Sequence, residues 1–307
     1  MPDRQQDICV LSNPRSGTAQ RNPDAIRRVM ELLGPRAELR PFSGDPAHEA
    51  AQAVRDGFRV VVAAGGDGTV AGVAHALAGT GAALAVLPLG TFNYFARGLR
   101  MPEDPEAAAR AILAGTPHRI AVGTLNGRVF LNNVSIGLYP AILEEREATY
   151  ARFGRHRILA HLASLRTLLR FQHPHRMEIV QDQTRHRLRT PMVFVARSAY
   201  QLDQFGLEGA EAISDDRFVM FLAHQQTRLA FLRLAWRLIR RKVDHGRDVT
   251  VSTPRRIAIS VRGRRRIAVA LDGEKLKMRL PLQIALAEDQ LQVILPPDNP
   301  VAAEAAG

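Results

Sequence analysis

Residues 58–79 read FRVVVAAGGDGTVAGVAHALAG, and this stretch decides the fold of the N-terminal half. An apolar run ends in the turn Gly65-Gly66-Asp67-Gly68-Thr69, and a helical pattern begins directly after it. Continuous apolar runs of this kind are typical of strands that are buried on both faces of a parallel sheet. The segment therefore predicts a buried strand, a tight turn and a helix in immediate succession.

The turn between the predicted strand and helix has the composition of a phosphate-binding loop. Glycines let backbone N–H groups approach an anion closely, and the N-terminus of the following helix carries partial positive charge. Asp67 would repel a phosphate unless a divalent cation lay between them, so we predict a metal–nucleotide site that includes Asp67. The turn lacks the Gly-Lys-Ser/Thr ending of a P-loop and the glycine spacing of the Rossmann fingerprint. A plain strand-to-helix turn stays open as the alternative.

Two further polar turns follow strand-like runs. Residues 7–12 lead into the turn Asn13-Pro14-Arg15-Ser16-Gly17, whose amide, hydroxyl and guanidinium groups suit a second phosphate. An ordinary turn with a helix cap is equally consistent with that pattern. Residues 84–88 lead into a loop with Gly90, Thr91 and Asn93, and the Thr and Asn side chains can donate hydrogen bonds to a nucleotide.

Strand-like and helix-like segments alternate up to about residue 114. This alternation predicts an α/β fold, with a doubly wound parallel sheet that carries helices on its faces. From about residue 119 the pattern changes to short β-rich runs, which predict antiparallel pairing and a C-terminal β-sandwich domain. The predicted strands of this half are 128–134, 177–181, 192–196, 218–222, 257–261 and 267–271. The predicted N-terminal strands are 7–12, 37–42, 58–64 and 84–87, and the predicted helices are 20–33, 46–56, 69–78 and 105–114.

Composition limits the class of protein. The chain has 307 residues and 46% hydrophobic content, which is enough for two domains with real cores and argues against disorder. No apolar run approaches the ~20 residues of a membrane span, and the first residues lack the apolar core of a signal peptide. Cys9 is the single cysteine and excludes an intrachain disulfide, so we expect a cytoplasmic protein.

The net charge of +12 is concentrated in one region. Residues 225–280 contain sixteen Lys or Arg against four acidic residues. An excess of this kind suits nucleic acid or an anionic membrane surface, and the absence of zinc-finger spacing and RNA-binding aromatic motifs disfavours nucleic acid. Residues 228–243 and 144–170 show amphipathic helical patterns with arginines on the polar side. Each helix could border a lipid entrance at a membrane, or simply pack on a sheet with its arginines solvated.

The three turns, in this order, resemble the catalytic domain of the diacylglycerol kinase family, which includes bacterial lipid kinases and sphingosine kinases. The resemblance rests on Asn-Pro-x-Ser-Gly at 13–17, Gly-Gly-Asp-Gly-Thr at 65–69 and Pro-Leu-Gly-Thr-x-Asn-x-Phe-Ala-Arg at 88–97. Residues 126–137 are similar to the family's entry into its second domain, and Asp272-Gly273-Glu274 is similar to its late Asp-Gly-Glu motif. The pentapeptide alone is shared with NAD kinases and phosphofructokinases.

The resemblance implies an NAD kinase/diacylglycerol kinase-like fold, with a nucleotide-binding domain over 1–122 to which strand 289–297 returns. It also implies a lipid-binding β-sandwich domain over 123–288, and residues 298–307 are predicted to form a disordered tail. The implied reaction transfers the γ-phosphoryl group of ATP, with Mg²⁺, to a lipid alcohol such as diacylglycerol, a step of phospholipid biosynthesis. Glu274 matches the family's glutamate and is our candidate general base, and Asp67 is the second catalytic candidate. An exposed sheet edge could support a homodimer.

The sequence departs from the family pattern at two acidic positions. Ala121 stands where the family commonly has an aspartate, and Val219 stands where the later acid of a second acidic segment is expected. Asp215 and Asp216 retain the early acids of that segment, and they are either metal ligands or turn residues. These departures concern metal handling and substrate more than the fold.

Three functional hypotheses remain open from the sequence. The first is a lipid kinase associated peripherally with an anionic membrane. The second is a kinase of a soluble metabolite, which the segment at 88–97 and the basic second half disfavour. The third is a nucleotide- or lipid-binding regulator that has lost catalysis, which Ala121 and Val219 suggest.

Overall fold

The computed structural model describes residues 6–14, 24–137, 140, 174–224, 227–240 and 248–301. The chain folds into two compact units. The first unit comprises Met1–Val122, Arg128–Leu131 and Ala287–Gly307, and the second comprises Gly123–Gly127 and Asn132–Leu286. The predicted helix at 144–170 lies outside the described residues.

The first unit is built on a parallel sheet. Its parallel strands are β1 (Ile8–Ser12), β2 (Ala37–Pro41), β3 (Val60–Gly65), β4 (Ala83–Pro88) and the last part of β16 (Leu282–Leu295). Part of β5 (Thr116–Leu125) and β6 (Arg128–Phe130), which pairs with β5, also belong to this unit. Its helices are α1 (Asp24–Leu33), a 3₁₀ turn (Gly34–Arg36), α2 (Pro46–Arg55), α3 (Asp67–Leu77), α4 (Tyr94–Gly98) and α5 (Pro105–Ala114).

The strand order of this sheet is β2-β1-β3-β4-β16. Val62 of β3 lies between Val10 of β1 and Ala85 of β4, and all three side chains are fully buried. Helix α1 packs with α5, and α2 packs with α3. Right-handed crossovers are expected to place these two pairs on opposite faces of the sheet, which explains why the central strands consist mainly of apolar residues.

Two helices of the first unit begin where the sequence carries an Asp-Pro pair. Asp45 accepts a hydrogen bond from the Ala47 amide at 3.0 Å, and Asp104 accepts one from the Ala107 amide at 2.8 Å. In both cases proline occupies the first helical position, where its missing N–H costs nothing. The predicted starts of helices α2 and α5 therefore have a local physical cause.

The second unit consists of antiparallel sheets and short helices. Its strands are β7 (Asn133–Gly137), β8 (His175–Gln181), β9 (Thr184–Thr190), β10 (Met192–Ala196), β11 (Val219–Ala223), β12 (Val249–Ser252), β13 (Arg256–Val261), β14 (Arg266–Leu271) and β15 (Glu274–Arg279), with the first part of β16. Its described helices are α6 (Ala199–Phe205), α7 (Ala210–Ser214) and α8 (Arg228–Ile239).

The six-stranded sheet of this unit has the order β12-β11-β10-β7-β14-β15. Ile136 in its centre pairs with Val193 on one side and Val269 on the other, and all three residues are fully buried. A second antiparallel arrangement joins the first part of β16 to β13, β8 and β9. The predicted fold class, a parallel N-terminal sheet followed by an antiparallel C-terminal half, is confirmed.

The structure differs from the sequence prediction in several elements. Strands β5, β9, β12 and β15 and helices α4, α6 and α7 were not predicted. Asn299, in the segment predicted as a disordered tail, is 6% exposed and donates a hydrogen bond from Nδ2 to the Leu99 carbonyl at 3.1 Å. This contact holds the start of the predicted tail on the first unit. Among the described residues, we find no helix with the length and apolar character needed to cross a bilayer.

Candidate functional site

The carboxyl ends of β1, β3 and β4 bring together the described residues of the three polar turns, which in the first turn are Asn13 and Pro14. The Asn13 amide donates to the Ala64 carbonyl at 3.1 Å, which ties the turn after β1 to the end of β3. The Leu89 amide donates to the Gly65 carbonyl at 3.0 Å, which ties the loop after β4 to the same strand. The crevice outside the carboxyl ends of parallel strands is the usual place for ligands in α/β sheets.

Gly66 and Gly90 bring two of these turns into direct backbone contact. A Cβ atom on Gly66 would lie 3.3 Å from the Gly90 Cα, tighter than an ordinary contact. A Cβ atom on Gly90 would collide with the Gly66 Cα and would lie 2.6 Å from the Asn93 Oδ1. Gly90 therefore needs glycine, and Gly66 leaves little room for a side chain, because the two backbones approach so closely.

Asn93 fixes the loop that contains Gly90. Its Oδ1 accepts a hydrogen bond from the Gly90 amide at 2.9 Å, and its Nδ2 donates to the Gly90 carbonyl at 3.2 Å. The residue is 8% exposed and adopts a left-handed conformation with φ 51°. Asparagine tolerates this conformation better than most residues, which explains why it occupies this position. The predicted nucleotide-binding Asn93 is thus a loop-stabilising residue in the structure.

Asp67 is the first residue of α3, and its carboxylate links the two glycine turns from the other side. Its Oδ1 accepts a hydrogen bond from the Phe95 amide at 3.3 Å. Burial raises the pKa of Asp67, and hydrogen bonds from the backbone amides of residues 93–95 act in the opposite direction. The carboxylate therefore has a structural contact at the place where the sequence predicts a metal–nucleotide role.

Asn13 and Thr69 connect the remaining pair of turns. The Asn13 Nδ2 donates to the Thr69 Oγ1 at 3.3 Å, and Thr69 is 6% exposed. Gly66 is the N-cap of α3 and has no side chain that could cap the helix. Because the first amides of an α-helix have no partners within the helix, this end of α3 has the composition of an anion-binding site.

The structure brings together most residues that the sequence assigns to nucleotide binding. Asn13, Gly90 and Asn93 surround the turn 65–69, whereas Thr91 is exposed. Arg15, Ser16 and Gly17 lie outside the described residues. The nucleotide-binding roles of all these residues stay predictions.

The candidate site offers a carboxylate, that of Asp67, to a metal ion. Among residues in the described ranges, no group of three or more His, Cys, Asp or Glu is close enough to hold a metal ion. Mg²⁺ is commonly held by one or two carboxylates together with substrate phosphates and water. Asp67, beside a glycine-lined helix N-terminus, fits that pattern.

Glu274 lies in the second unit, directly after a tight turn between β14 and β15. Asp272 and Gly273 form this turn with φ values of 47° and 89°, as expected for the Asp-Gly pair of a two-residue hairpin. The Asp272 Oδ1 accepts hydrogen bonds from the amides of Asn132 and Asn133 at 2.7 and 2.9 Å. Glu274 is exposed. The hydrogen bonds of Asp272 fix the turn that precedes it.

The second acidic segment, which contains Asp215, Asp216 and Val219, makes contacts within the second unit. Asp216 forms an ion pair of 2.7 Å with Arg197, whose side chain is 11% exposed. Burial lowers the pKa of Arg197, and the Asp216 charge acts against this effect. Val219 is fully buried, and a Cβ atom on Gly209 would lie 2.8 Å from its Cγ1. A carboxylate at position 219 would therefore be buried in an apolar core, and the roles of Asp215 and Asp216 in metal binding stay predictions.

Sequence analysis missed a buried polar group at the start of β7. The Asn133 Nδ2 donates to the Gln201 Oε1 at 2.9 Å, and Ser135 is fully buried. Within the part of the chain that the structure describes, no hydrogen bond reaches the Asn132 Oδ1, the Asn133 Oδ1 or the Ser135 Oγ. Polar side chains on a buried strand are unusual, since an unpaired polar atom is costly. The signal in the sequence is the pair Asn132-Asn133 before an apolar strand.

A basic cavity of about 800 Å³ lies elsewhere in the second unit, on β8, β9 and β13. Its lining includes Arg176, Arg187, Arg189 and Arg262 together with Glu178. None of the residues predicted for catalysis or nucleotide binding is among them. This cavity therefore does not support the sequence prediction of the site.

Comparison with known proteins agrees with the geometry of the first unit. Residues 7–125 match the family model of the diacylglycerol kinase catalytic domain. A protein named "Probable lipid kinase YegS-like" from Pseudomonas aeruginosa is 49% identical over 96 residues, which is 31% of this chain and 32% of that protein. A "Diacylglycerol kinase" from Staphylococcus saprophyticus is 37% identical over 129 residues, which is 40% of this chain and 42% of that protein. These matches thus span less than half of the length of either relative.

A solved structure extends the likeness of the fold to nearly the whole chain. The crystal structure of a diacylglycerol kinase from Bacillus anthracis has a TM-score of 0.69 with 20% sequence identity, and the match covers 97% of this chain and 98% of that one. At this identity the likeness shows the fold alone. The resemblance read from the three turns is confirmed to this extent: residues 7–125 match the model of the diacylglycerol kinase catalytic domain.

Proposed function

We propose that the chain is an ATP-dependent lipid kinase that phosphorylates the hydroxyl group of diacylglycerol or a related lipid alcohol. The observation that supports this proposal most strongly is the close contact of the two glycine turns, Gly66 against Gly90, at the N-terminus of α3. Phosphoryl transfer depends chiefly on alignment and charge neutralisation, so a rigid cradle of backbone amides is the machinery that it needs.

The triphosphate would lie against the turn 65–69. The absence of side chains at Gly65, Gly66 and Gly68 leaves backbone amides accessible to phosphate oxygens, and the dipole of α3 favours their negative charge. Asn13 and Asn93 keep the flanking turns in place through the hydrogen bonds described above. Arg15, Ser16 and Gly17 complete the predicted set of phosphate contacts.

Asp67 would hold magnesium at the phosphates. One of its oxygens accepts the Phe95 amide, and the second is the candidate ligand. Magnesium, when bound, neutralises charge on the phosphate oxygens and helps to align them. The raised pKa of Asp67 follows from burial in the absence of a cation, and a bound cation would favour the ionised form.

Glu274 would act as the general base. As the acceptor oxygen forms its bond to the γ-phosphorus, the bond from that phosphorus to the bridging oxygen breaks and ADP leaves. The proton of the acceptor hydroxyl passes to the Glu274 carboxylate. Its exposure and the fixed turn before it support this role, since a base must be both reachable and oriented.

The lipid acceptor and the membrane belong to the same proposal. The curated relatives named above are lipid kinases by their names. The basic excess in residues 225–280 suits peripheral attachment to an anionic, cytoplasmic membrane surface. A homodimer through an exposed sheet edge stays a prediction.

A regulator without phosphoryl transfer is the second candidate. Two observations favour it: a buried apolar side chain, Val219, stands where the family pattern places a metal-handling acid, and the Asp216 carboxylate is paired with Arg197. Such a protein would bind nucleotide or lipid and release no phosphorylated product.

An assay with radiolabelled ATP and a panel of acceptors tests the proposed function. The full chain is incubated with Mg²⁺, diacylglycerol or other lipid alcohols in neutral detergent micelles, and soluble alcohols in parallel. We expect label in the organic extract. Label only in water-soluble product would assign a metabolite kinase, and nucleotide binding without transfer would assign the regulator.

Gly90→Ala should weaken ATP binding about tenfold or more, because the added Cβ forces the two glycine turns apart and misaligns the amides. Titration calorimetry with ATP and Mg²⁺ measures this loss. Gly44→Ala is the matched control, since a Cβ atom there would meet no atom within 4 Å. If the two variants bind ATP with equal affinity, nucleotide binding does not depend on the Gly66–Gly90 contact.

Asp67→Asn should keep the fold and lower turnover by about 10²-fold or more, because it retains an oxygen for the Phe95 amide but removes the charge for magnesium. Asp67→Ala removes both and should also lower the free energy of unfolding by about 1 kcal/mol. Steady-state kinetics and urea denaturation measure the two effects. If the Asp67→Asn variant turns over at a near-normal rate, the Asp67 carboxylate has a structural role and does not hold the magnesium ion.

Glu274→Gln should reduce kcat by about 10²- to 10⁴-fold while the affinity for ATP stays unchanged, because only the proton acceptor is lost. Single-turnover kinetics and nucleotide titration separate these two quantities. Glu211→Gln, at another exposed glutamate of the second unit, is the control and should keep full activity. If the Glu274 variant turns over at the rate of this control, Glu274 is not the base.

A further inference from the structure

Helix α8 has one side that is anchored in the second unit. Leu234 is 5% exposed and belongs to an apolar cluster with residues such as Phe221 and Val249. Arg237 donates from Nη1 to the Asp248 Oδ2 at 2.6 Å, and the Asp248 side chain is 12% exposed. The Ala230 amide donates to the Thr227 Oγ1 at 3.3 Å, which caps the start of the helix. These contacts fix which side of α8 faces outward.

The opposite side of α8 carries two large apolar side chains in solvent. Leu229 is 75% exposed and Trp236 is 54% exposed. They are the exposed large apolar residues of the second unit within the described ranges. Arg233 and Arg240 are exposed beside them, and the Arg240 Cζ lies 4.4 Å from the centroid of the Trp236 ring. We call this set the outer stripe of α8: Leu229, Arg233, Trp236 and Arg240.

The spacing of the outer stripe makes it one continuous surface. Steps of four, three and four residues keep the Cα positions within about 60° of the helix circumference, given 3.6 residues per turn. The sequence of α8 contains arginines and no acidic residue. Helices that lie in a membrane interface commonly carry tryptophan, arginine and leucine on one face. The aromatic ring lies at the level of the lipid headgroups, and the arginine side chains contact lipid phosphates.

We propose that the outer stripe of α8 docks on the surface of an anionic phospholipid bilayer and holds the protein there while it collects its substrate. This inference rests on the proposed lipid kinase function, which gives the protein a reason to approach a bilayer. A second copy of the chain is a poorer occupant, because a symmetric contact would bring the arginines of both stripes together. Nucleic acid is also a poorer occupant, since Leu229 offers no group for a base or a phosphate.

Trp236 itself reports on the proposal, because it is the only tryptophan in the chain. Vesicles of phosphatidylglycerol and phosphatidylcholine should shift the Trp236 fluorescence emission to shorter wavelength. Lipids with brominated acyl chains in these vesicles should quench the Trp236 fluorescence. The affinity for vesicles of phosphatidylcholine alone should be at least about tenfold lower, since each arginine near an anionic surface contributes to binding. Raised salt should weaken the anionic binding.

Leu229→Ala combined with Arg233→Gln should weaken binding to the anionic vesicles about tenfold or more, as measured by co-sedimentation and by Trp236 emission. The matched control is Arg110→Gln with Leu113→Ala on α5, which makes the same chemical change at exposed positions of another helix. Circular dichroism checks that both double variants are folded. The control should bind as the unchanged protein does.

Three results would overturn the proposal. One is an unshifted Trp236 emission while the protein co-sediments with anionic vesicles, which would assign binding to another surface such as the arginine-lined cavity. Another is equal vesicle binding by the two double variants. The third is an emission shift that follows protein concentration without lipid, which would assign the stripe to self-association.

The phosphoryl-transfer assay distinguishes a failure of membrane docking from a failure of the proposed kinase function. The Leu229→Ala, Arg233→Gln variant should phosphorylate diacylglycerol in neutral detergent micelles as fast as the unchanged protein, because the stripe contributes no catalytic group. Transfer without a vesicle-induced shift of Trp236 would reject the docking stripe alone. Vesicle binding without transfer to any lipid would reject the kinase and leave a membrane-bound protein.

Discussion

The close approach of Gly66 and Gly90 is the constraint on which the candidate site depends. A Cβ atom on Gly90 would collide with the Gly66 backbone, and a Cβ atom on Gly66 would lie in a tight contact with the Gly90 backbone. The Asp67 carboxylate accepts a hydrogen bond from the Phe95 amide, which joins the two turns, and the Asn93 Oδ1 accepts one from the Gly90 amide, which fixes the loop that contains Gly90. The N-terminus of α3 is thus presented by a rigid frame, which is what an anion-binding site needs in order to avoid reorganisation.

Most of the first unit could be predicted from the sequence because its signals are local. The runs of β1 and β4 are buried along their whole length, β3 is buried except for the half-buried Val60, and Asp-Pro pairs start α2 and α5. The second unit was harder to predict. Strand β9 reads TRHRLRT and is largely exposed, so its pairing with β8 leaves little apolar alternation to detect.

The structural roles of Asp67 and Asn93 could not be predicted, because their partners lie in other turns. The hydrogen bond from the Phe95 amide to Asp67 joins residues 28 positions apart in the sequence. The polar pair Asn132 and Asn133 likewise gains its meaning from Asp272, which is 140 and 139 positions away, and from Gln201. For α8, periodicity predicted an amphipathic helix, but only the burial of Leu234 shows that Trp236 and Leu229 face solvent. Long-range contacts of this kind decide function and leave little trace in local sequence patterns.

The measurement that tests the central claim most directly is an NMR titration of the isotopically labelled chain with ATP and Mg²⁺. The account predicts large, saturable shifts of the amide signals of Gly66, Gly68 and Thr69, since these N–H groups would donate to phosphate oxygens. Saturable binding that leaves those three signals unmoved, or no binding at all, would contradict it.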